Sequence, residues 1–180
     1  MARLRIATTW LGGCSGCHMS FLDMDEFLFD LAAKADIVYS PFVDAKEYPE
    51  GVDVALIEGA VCNEDHMELL PKIRARTKTV VSFGDCAVTG NVTALRNPLG
   101  GAENVLEQVY LHHGDDAAQL PVAPGIVPVL LDWVVPVHTV IPVDFYIPGC
   151  PPPASRIRAV VEALLEGRTP HLEGVDIRFG

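Results

Sequence analysis

The sequence lacks the features of several large protein classes. Its 180 residues carry 13 Lys and Arg against 24 Asp and Glu, which gives a net charge of −11. Such an excess of acid is a poor match for nucleic acid or for an anionic lipid surface. No apolar run reaches the roughly 18 residues of a membrane-spanning helix, because prolines interrupt the longest candidate, residues 126–143. We therefore expect neither nucleic-acid binding nor direct membrane insertion.

A leader for export is also missing from the sequence. No basic stretch with a long apolar segment precedes the first predicted strand, and Arg3 and Arg5 do not form a twin-arginine pair. We therefore expect a cytoplasmic protein.

Short apolar stretches that alternate with helical ones dominate what is present. Hydrophobic residues make up 49% of the chain, enough for one domain with a sizeable core. Because the predicted strands mostly end at glycine-containing turns and alternate with helices, we predict an α/β fold around a parallel sheet. The predicted strands are 4–9, 35–40, 52–57, 79–83 and 143–147; the predicted helices are 19–34, 65–76, 103–112 and one opened by residues 151–153.

The pattern loosens between residues 97 and 142, where proline is frequent. A segment of this length with little periodic structure is usually functional or lies against a partner. We therefore predict that 97–142 is irregular and contacts a partner. Since no repeat or second domain is visible, residues 1–180 are predicted to form a single domain.

Four of the five cysteines follow predicted strands. Cys14 and Cys17 lie on a glycine-rich turn after the first strand, Cys86 follows the fourth, and Cys150 follows the fifth. An odd number of cysteines in a cytoplasmic chain argues against a disulfide framework. Because parallel strands end at the same edge of a sheet, the four thiolates are expected to converge there. Four thiolates are the ligand set of a [4Fe–4S] cluster or of a structural zinc ion.

The spacing of the cysteines favours a cluster over zinc. Zinc sites usually contain two close CxxC pairs, whereas Cys86 and Cys150 are isolated and far apart in the sequence. A CxxC pair also occurs in thioredoxin-like proteins, but there it needs no distant cysteines. Cys62 has no partner in spacing and is interpreted as a small buried hydrophobe.

Four stretches together resemble the small subunit of [NiFe] hydrogenases. They are TWLGGCSGCHMS at 9–20, EGAV at 58–61, GDCAVTGN at 84–91 and PGCPP at 148–152. The likeness covers nearly the whole chain and is closest to the small subunit of the cytoplasmic, bidirectional NAD(P)-reducing type.

Two features distinguish the subfamilies. The cluster-bearing subunit of complex I beside the quinone site is a relative, but it uses adjacent cysteines where Ser15 and Gly16 separate Cys14 from Cys17. Periplasmic uptake subunits carry a twin-arginine signal and a further cluster domain, and neither is seen here. These differences favour the NAD(P)-reducing type.

The resemblance implies a fold, a cofactor and partners. It implies a flavodoxin-like, doubly wound sheet whose C-terminal edge carries one proximal [4Fe–4S] cluster, bound by Cys14, Cys17, Cys86 and Cys150. It places the nickel–iron centre on a large subunit and sends electrons on to iron–sulfur and flavin diaphorase subunits and to NAD(P)⁺. The chain is thus expected to be an electron-transfer subunit of an oxidoreductase, with no catalytic residue of its own.

Other residues near the expected cluster are given supporting roles. Glu58 is assigned either a proton or hydrogen-bonding role or that of a structural carboxylate, and Asp85 is expected to cap its turn. Trp10 is expected to pack against the large subunit, and His18 to lie at that interface or in solvent. The candidate backbone N–H donors to the cluster sulfurs are Gly13, Ser15, Gly16 and Gly149.

A flavin site is not predicted on this chain. Cysteines occupy the turn after the first strand, where a flavodoxin would have its phosphate loop. We therefore expect no FMN.

Two rival functions remain open from the sequence. One is a cluster subunit of a membrane-bound energy-converting hydrogenase or a complex-I-like assembly. The other, of a different class, is a non-catalytic scaffold stabilised by zinc. The identity of neighbouring genes would distinguish the first rival from an NAD(P)-reducing hydrogenase subunit. Iron and sulfide analysis would distinguish the second rival from it.

Overall fold

The computed structural model describes residues 3–115 and 117–179. The strands are β1 Leu4–Trp10, β2 Ala35–Tyr39, β3 Val52–Glu58, β4 Val61–Asn63, β5 Thr77–Phe83, β6 Leu130–Val135 and β7 Phe145–Ile147. The α-helices are α1 Gly16–Leu22, α2 Phe27–Lys34, α3 Glu64–Arg76, α4 Asp85–Thr89, α5 Asn91–Ala94, α6 Ala102–Glu107 and α7 Ala154–Leu165. Within the described ranges, no helix combines the length and apolar character needed to cross a lipid bilayer.

Five strands form a parallel sheet in the order β2-β1-β3-β5-β7. When only these strands are numbered, the order is the 2-1-3-4-5 of flavodoxin-like folds. The predicted α/β class, the parallel sheet of about five strands and the flavodoxin-like order are confirmed.

A hydrophobic core lies on each face of this sheet. Successive side chains of a strand point to opposite faces, so Val54 and Leu56 enter one core while Ala55 and Ile57 enter the other. Phe21 of α1 and Phe27 of α2 belong to the first core, together with the apolar stripe of α7. The second core includes Leu70 and Ile73 of α3. Helices therefore cover both faces, as in a doubly wound sheet.

The helix predicted over 19–34 is two helices. α1 ends at Leu22 and α2 begins at Phe27, and between them Asp25 adopts a positive φ of 50°. Met24 in this break is buried in the same core as Phe21 and Phe27. Apolar periodicity therefore continues through the break, which is why the sequence does not reveal it.

The helix predicted over 103–112 is found as α6 and a π-helical turn at Gln108–His112. The prediction that 97–142 is otherwise irregular is wrong for β6, which pairs antiparallel with β4 in a second, two-stranded sheet. β4 has three residues and follows β3 after two residues, so it is too short to show a pattern of its own. Without a recognisable partner strand, β6 could not be identified from the sequence.

Candidate functional site

The structure places four cysteines at the C-terminal edge of the central sheet. Cys14 lies in the turn between β1 and α1, and Cys17 lies in the first turn of α1. Cys86 lies in α4, directly after β5, and Cys150 lies in the loop after β7. Cys17 and Cys86 are buried, whereas Cys14 and Cys150 are exposed. The site therefore has an inner and an outer pair of thiols.

The four thiols are close enough to influence one another. Burial raises the pKa of Cys17 far above its ordinary value, and negative charge on Glu58, Cys86, Cys14 and Cys150 adds to the rise. Burial also raises the pKa of Cys86; hydrogen bonds with Thr93 oppose this rise, and Cys150 and Cys14 add to it.

The spacing of the thiols bears on which metal group they fit. Among the described residues, no three His, Cys, Asp or Glu side chains are placed to bind a single metal ion. Tetrahedral zinc needs all its sulfur ligands about 2.3 Å from one point. The cysteines of an iron–sulfur cluster bind different iron atoms and lie farther apart. Four thiols are a donor set of the kind that iron–sulfur clusters use.

Gly84 allows Cys17 to reach the turn after β5. A Cβ atom on Gly84 would lie 2.1 Å from Cys17 Sγ, and the residue has φ 83° and ψ 162°, a conformation that is essentially restricted to glycine. Any side chain here would displace the inner thiol.

The turns that carry Cys86 and Cys150 are bound to each other. Gly84 N–H donates to Ile147 O at 2.8 Å, and Asp85 N–H donates to Gly149 O at 2.9 Å. Asp85 Oδ1 accepts a hydrogen bond from Gly149 N at 2.6 Å. Asp85, which is expected to cap its turn, also holds the neighbouring turn through this contact. The Gly149 N–H is engaged by a carboxylate and is not the sulfur donor that the sequence suggested.

The turn that carries Cys14 lies on the turn after β3. Gly12 N–H donates to Ala60 O at 2.9 Å, and Ala60 N–H donates to Gly12 O at 2.7 Å. Gly59, with φ 89°, permits this approach, because a Cβ atom there would lie 2.9 Å from Gly12 O. Glu58, the last residue of β3, is thereby brought beneath the cysteine turn.

The Glu58 side chain contacts the backbone that carries Cys17. Its carboxylate accepts hydrogen bonds from Cys17 N at 3.3 Å, from His18 N at 3.0 Å and from His18 Nδ1. His18 is 2% exposed. The prediction that His18 lies in solvent or at an interface is wrong, because its ring turns inward to pair with this carboxylate. No spacing signal in the sequence joins residues 18 and 58.

Sequence reasoning missed two other residues that bind these turns together. Thr93 hydrogen-bonds to Cys86 through both its side chain and its backbone, and its hydroxyl donates to Gly12 O at 2.9 Å. Ser20 Oγ donates to Pro152 O at 2.6 Å, which ties α1 to the Cys150 loop. A single serine or threonine shows no spacing or periodicity in the sequence that would indicate such a contact.

Cys62 lies on β4 and is half-buried. Its Sγ is 3.6 Å from His66 Nδ1, to which its own backbone N–H donates at 3.3 Å. Burial raises the pKa of this thiol. Cys62 is thus partly accessible and paired with a histidine, beyond the simple hydrophobe that the sequence suggested.

Apolar side chains are exposed on the same side as Cys14, which lines a cavity together with Trp10. Trp10 is 40% exposed, and its ring packs edge-on against His18 and Phe42. Phe42 and Met19 are also exposed. We define the apolar rim as Trp10, Met19 and Phe42.

Comparison with known proteins assigns the chain to a family. Residues 14–164 match the family described as the NADH ubiquinone oxidoreductase, 20 kDa subunit. The chain belongs to this family.

Relatives of this 20 kDa subunit family include hydrogenase subunits. The chain is 42% identical to a subunit of the F420-non-reducing hydrogenase of Methanococcus voltae, over 94% of this chain and 59% of that protein. It is 37% identical to the delta subunit of the NAD-reducing hydrogenase HoxS of Cupriavidus necator, over 92% of this chain and 80% of that protein. The chain thus spans just over half the length of the F420-non-reducing relative.

A solved structure matches along its whole length. The match is to a chain of an NAD⁺-reducing [NiFe]-hydrogenase in the H2-reduced state, with a TM-score of 0.93 and 40% identity. It covers 99% of this chain and 100% of that one. The resemblance to hydrogenase small subunits is therefore confirmed.

Proposed function

We propose that the chain is the electron-transfer small subunit of an NAD(P)-linked [NiFe] hydrogenase. The reaction, H2 ⇌ 2 H⁺ + 2 e⁻, takes place on a partner large subunit, and this chain relays the electrons towards flavin diaphorase subunits. The observation that carries the proposal is the meeting of four thiols at one sheet edge. The full-length match to a chain of an NAD⁺-reducing hydrogenase supports it.

Cys14, Cys17, Cys86 and Cys150 would hold the proposed cluster. When bound, a [4Fe–4S] cluster accepts and releases single electrons. Cys17 and Cys86 supply sulfur from the protein interior, and Cys14 and Cys150 supply it from the surface. Gly84, Asp85 and Thr93 keep the turns that carry these thiols in register.

The proposed partners follow from the exposed parts of the site. The two exposed thiols and the apolar rim are surfaces that a large subunit would cover and shield from water. We also assign partner contact to segment 97–142, where Ile126, Val129 and Trp133 are exposed. Because NAD(P)⁺ is the expected acceptor, we assign the complex to the cytoplasm. The absence of FMN from this chain remains a prediction.

Anaerobic purification of the chain with its co-expressed partners tests the proposal. We expect about four irons and four sulfides per chain, a low-temperature EPR signal on reduction, and H2-dependent reduction of NAD⁺ or NADP⁺. Large and diaphorase subunits should co-purify. Stoichiometric zinc without iron would contradict the proposal and support the zinc scaffold.

A complex-I-like or energy-converting assembly is the second candidate. The matched family is described by a subunit of NADH ubiquinone oxidoreductase, which favours this alternative. Co-purification with membrane subunits in place of a diaphorase would establish it.

A further inference from the structure

Glu58 holds a central position in the site without supplying a ligand. It ends β3, which lies between β1 and β5, the strands that lead to Cys14 and Cys86. Its side chain is 3% exposed. Its three hydrogen-bond donors all belong to Cys17 and His18. The contacts are therefore concentrated on one turn of backbone.

The contact with Glu58 defines how His18 is oriented. A carboxylate oxygen accepts hydrogen bonds, so His18 Nδ1 is assigned as the donor in this contact. The ring lies against Trp10 and Phe83, and its Nε2 is buried without a hydrogen-bond partner in the described part of the chain. Leaving a buried polar atom unpaired is unfavourable. The hydrogen bond to Glu58 is thus the one polar contact that the ring is seen to make.

We propose that Glu58 is a positioning residue for the cysteine turn, oriented by His18. The inference rests on the proposed function. Two backbone N–H groups held by one carboxylate fix where Cys17 presents its sulfur.

Glu58→Gln in the complete complex tests this role. An amide has one accepting oxygen, and its NH2 group faces the donors that the second carboxylate oxygen accepted. We expect faster amide hydrogen exchange in the peptide that spans residues 14–22. Glu68→Gln removes an exposed charge from α3 and should leave this exchange unchanged.

Two substitutions of His18 separate orientation from packing. His18→Asn keeps a donor near the position of Nδ1, whereas His18→Phe keeps an aromatic ring and removes the donor. We expect faster exchange of the 14–22 peptide in the Phe variant and exchange close to wild type in the Asn variant. Equal exchange in the two variants would overturn the role of His18.

The outcomes also separate this inference from the proposed function. A wild-type complex without iron would contradict the proposed function, while the exchange data would still decide the positioning role. Unchanged exchange in Glu58→Gln would overturn that role.

Discussion

The two ends of the central sheet hold neighbouring strands together in different ways. At the N-terminal edge, Asp53, which follows the start of β3, pairs with Lys78 near the start of β5 at 2.7 Å. At the C-terminal edge, Asp85 after β5 accepts a hydrogen bond from Gly149 after β7 at 2.6 Å. Lys78 is 76% exposed, whereas Asp85 is 4% exposed. A carboxylate thus connects neighbouring strands at both edges, in contact with solvent at the N-terminal edge and in the protein interior at the C-terminal edge.

Ion pairs recur along the N-terminal edge. Arg3 pairs with Asp36 at 2.7 Å, and Arg74 pairs with Asp144 at 2.6 Å. These side chains are largely or partly exposed, and such pairs typically contribute about 0.2–1 kcal/mol each. The N-terminal edge is therefore expected to tolerate substitution well.

The C-terminal edge has buried polar groups whose partners lie on neighbouring turns. Removing one member leaves the other buried and unpaired, which typically costs about 1–3 kcal/mol. In open α/β sheets, ligands bind at this edge. We therefore expect substitutions at the C-terminal edge, where the four cysteines lie, to cost more stability than substitutions at the N-terminal edge.

The largest expected effect comes from the cysteines themselves. Cys86→Ala and Cys150→Ala should each lose the proposed cluster, because each removes one ligand. Cys62→Ala, the matched control, should retain it. Iron and sulfide analysis of the purified complexes measures this; full iron content in the Cys86 variant would contradict the assignment.

Gly84→Ala should be the next most damaging change. The backbone conformation alone costs a non-glycine residue about 1–3 kcal/mol, and the new methyl group would also displace Cys17 Sγ. Gly51→Ala at the N-terminal edge is the control, since Gly51 has φ 69° but a Cβ atom there would meet no other atom within 4 Å. We expect both variants to lower the urea midpoint and only Gly84→Ala to lower iron content. Equal iron loss in the two variants would contradict the expectation that only the C-terminal edge positions the cysteines.

Thr93→Val should have an intermediate effect. It removes the hydroxyl that contacts Cys86 and Gly12 while keeping the shape of the side chain. We expect a loss of about 1 kcal/mol in unfolding free energy, measured by urea unfolding. Thr93→Ser keeps the hydroxyl and should lie closer to wild type. If Ser and Val behave alike, the hydroxyl does not link these turns.

Asp53→Asn at the opposite edge should have the smallest effect. Burial tends to raise the pKa of Asp53, but hydrogen bonds from Lys78 and from Arg5 N–H hold it below its ordinary value. The ionised carboxylate therefore stabilises the fold at neutral pH, by about 1 kcal/mol or less. This contribution is lost as the pH falls below about 4. Urea unfolding at several pH values should show wild type and variant converging in acid; a constant difference would contradict this origin.

Much of the fold follows from patterns that a single sequence displays. Short apolar strands ending in glycine-containing turns identify the parallel sheet, and Cys14, Cys17, Cys86 and Cys150 follow three of those strands. Since parallel strands end at one edge, the meeting of the thiols could be anticipated before any coordinates.

The side-chain contacts that support the site could not be anticipated in this way. Glu58 and His18 are 40 residues apart in sequence, and Ser20 and Pro152 are 132 apart. Such pairs depend on how the turns pack, which local periodicity does not record. The second sheet was missed for a related reason, because β4 has three residues and pairs with a strand far along the chain.

The division into an outer and an inner pair of cysteines has a consequence for biogenesis. Cys14 and Cys150 remain reachable from solvent in the folded chain, while Cys17 and Cys86 are already fixed beneath them. If the chain binds the proposed cluster, a partner that covers Cys14 and Cys150 closes the exposed side of the site. We therefore expect the cluster to be loaded before that partner docks.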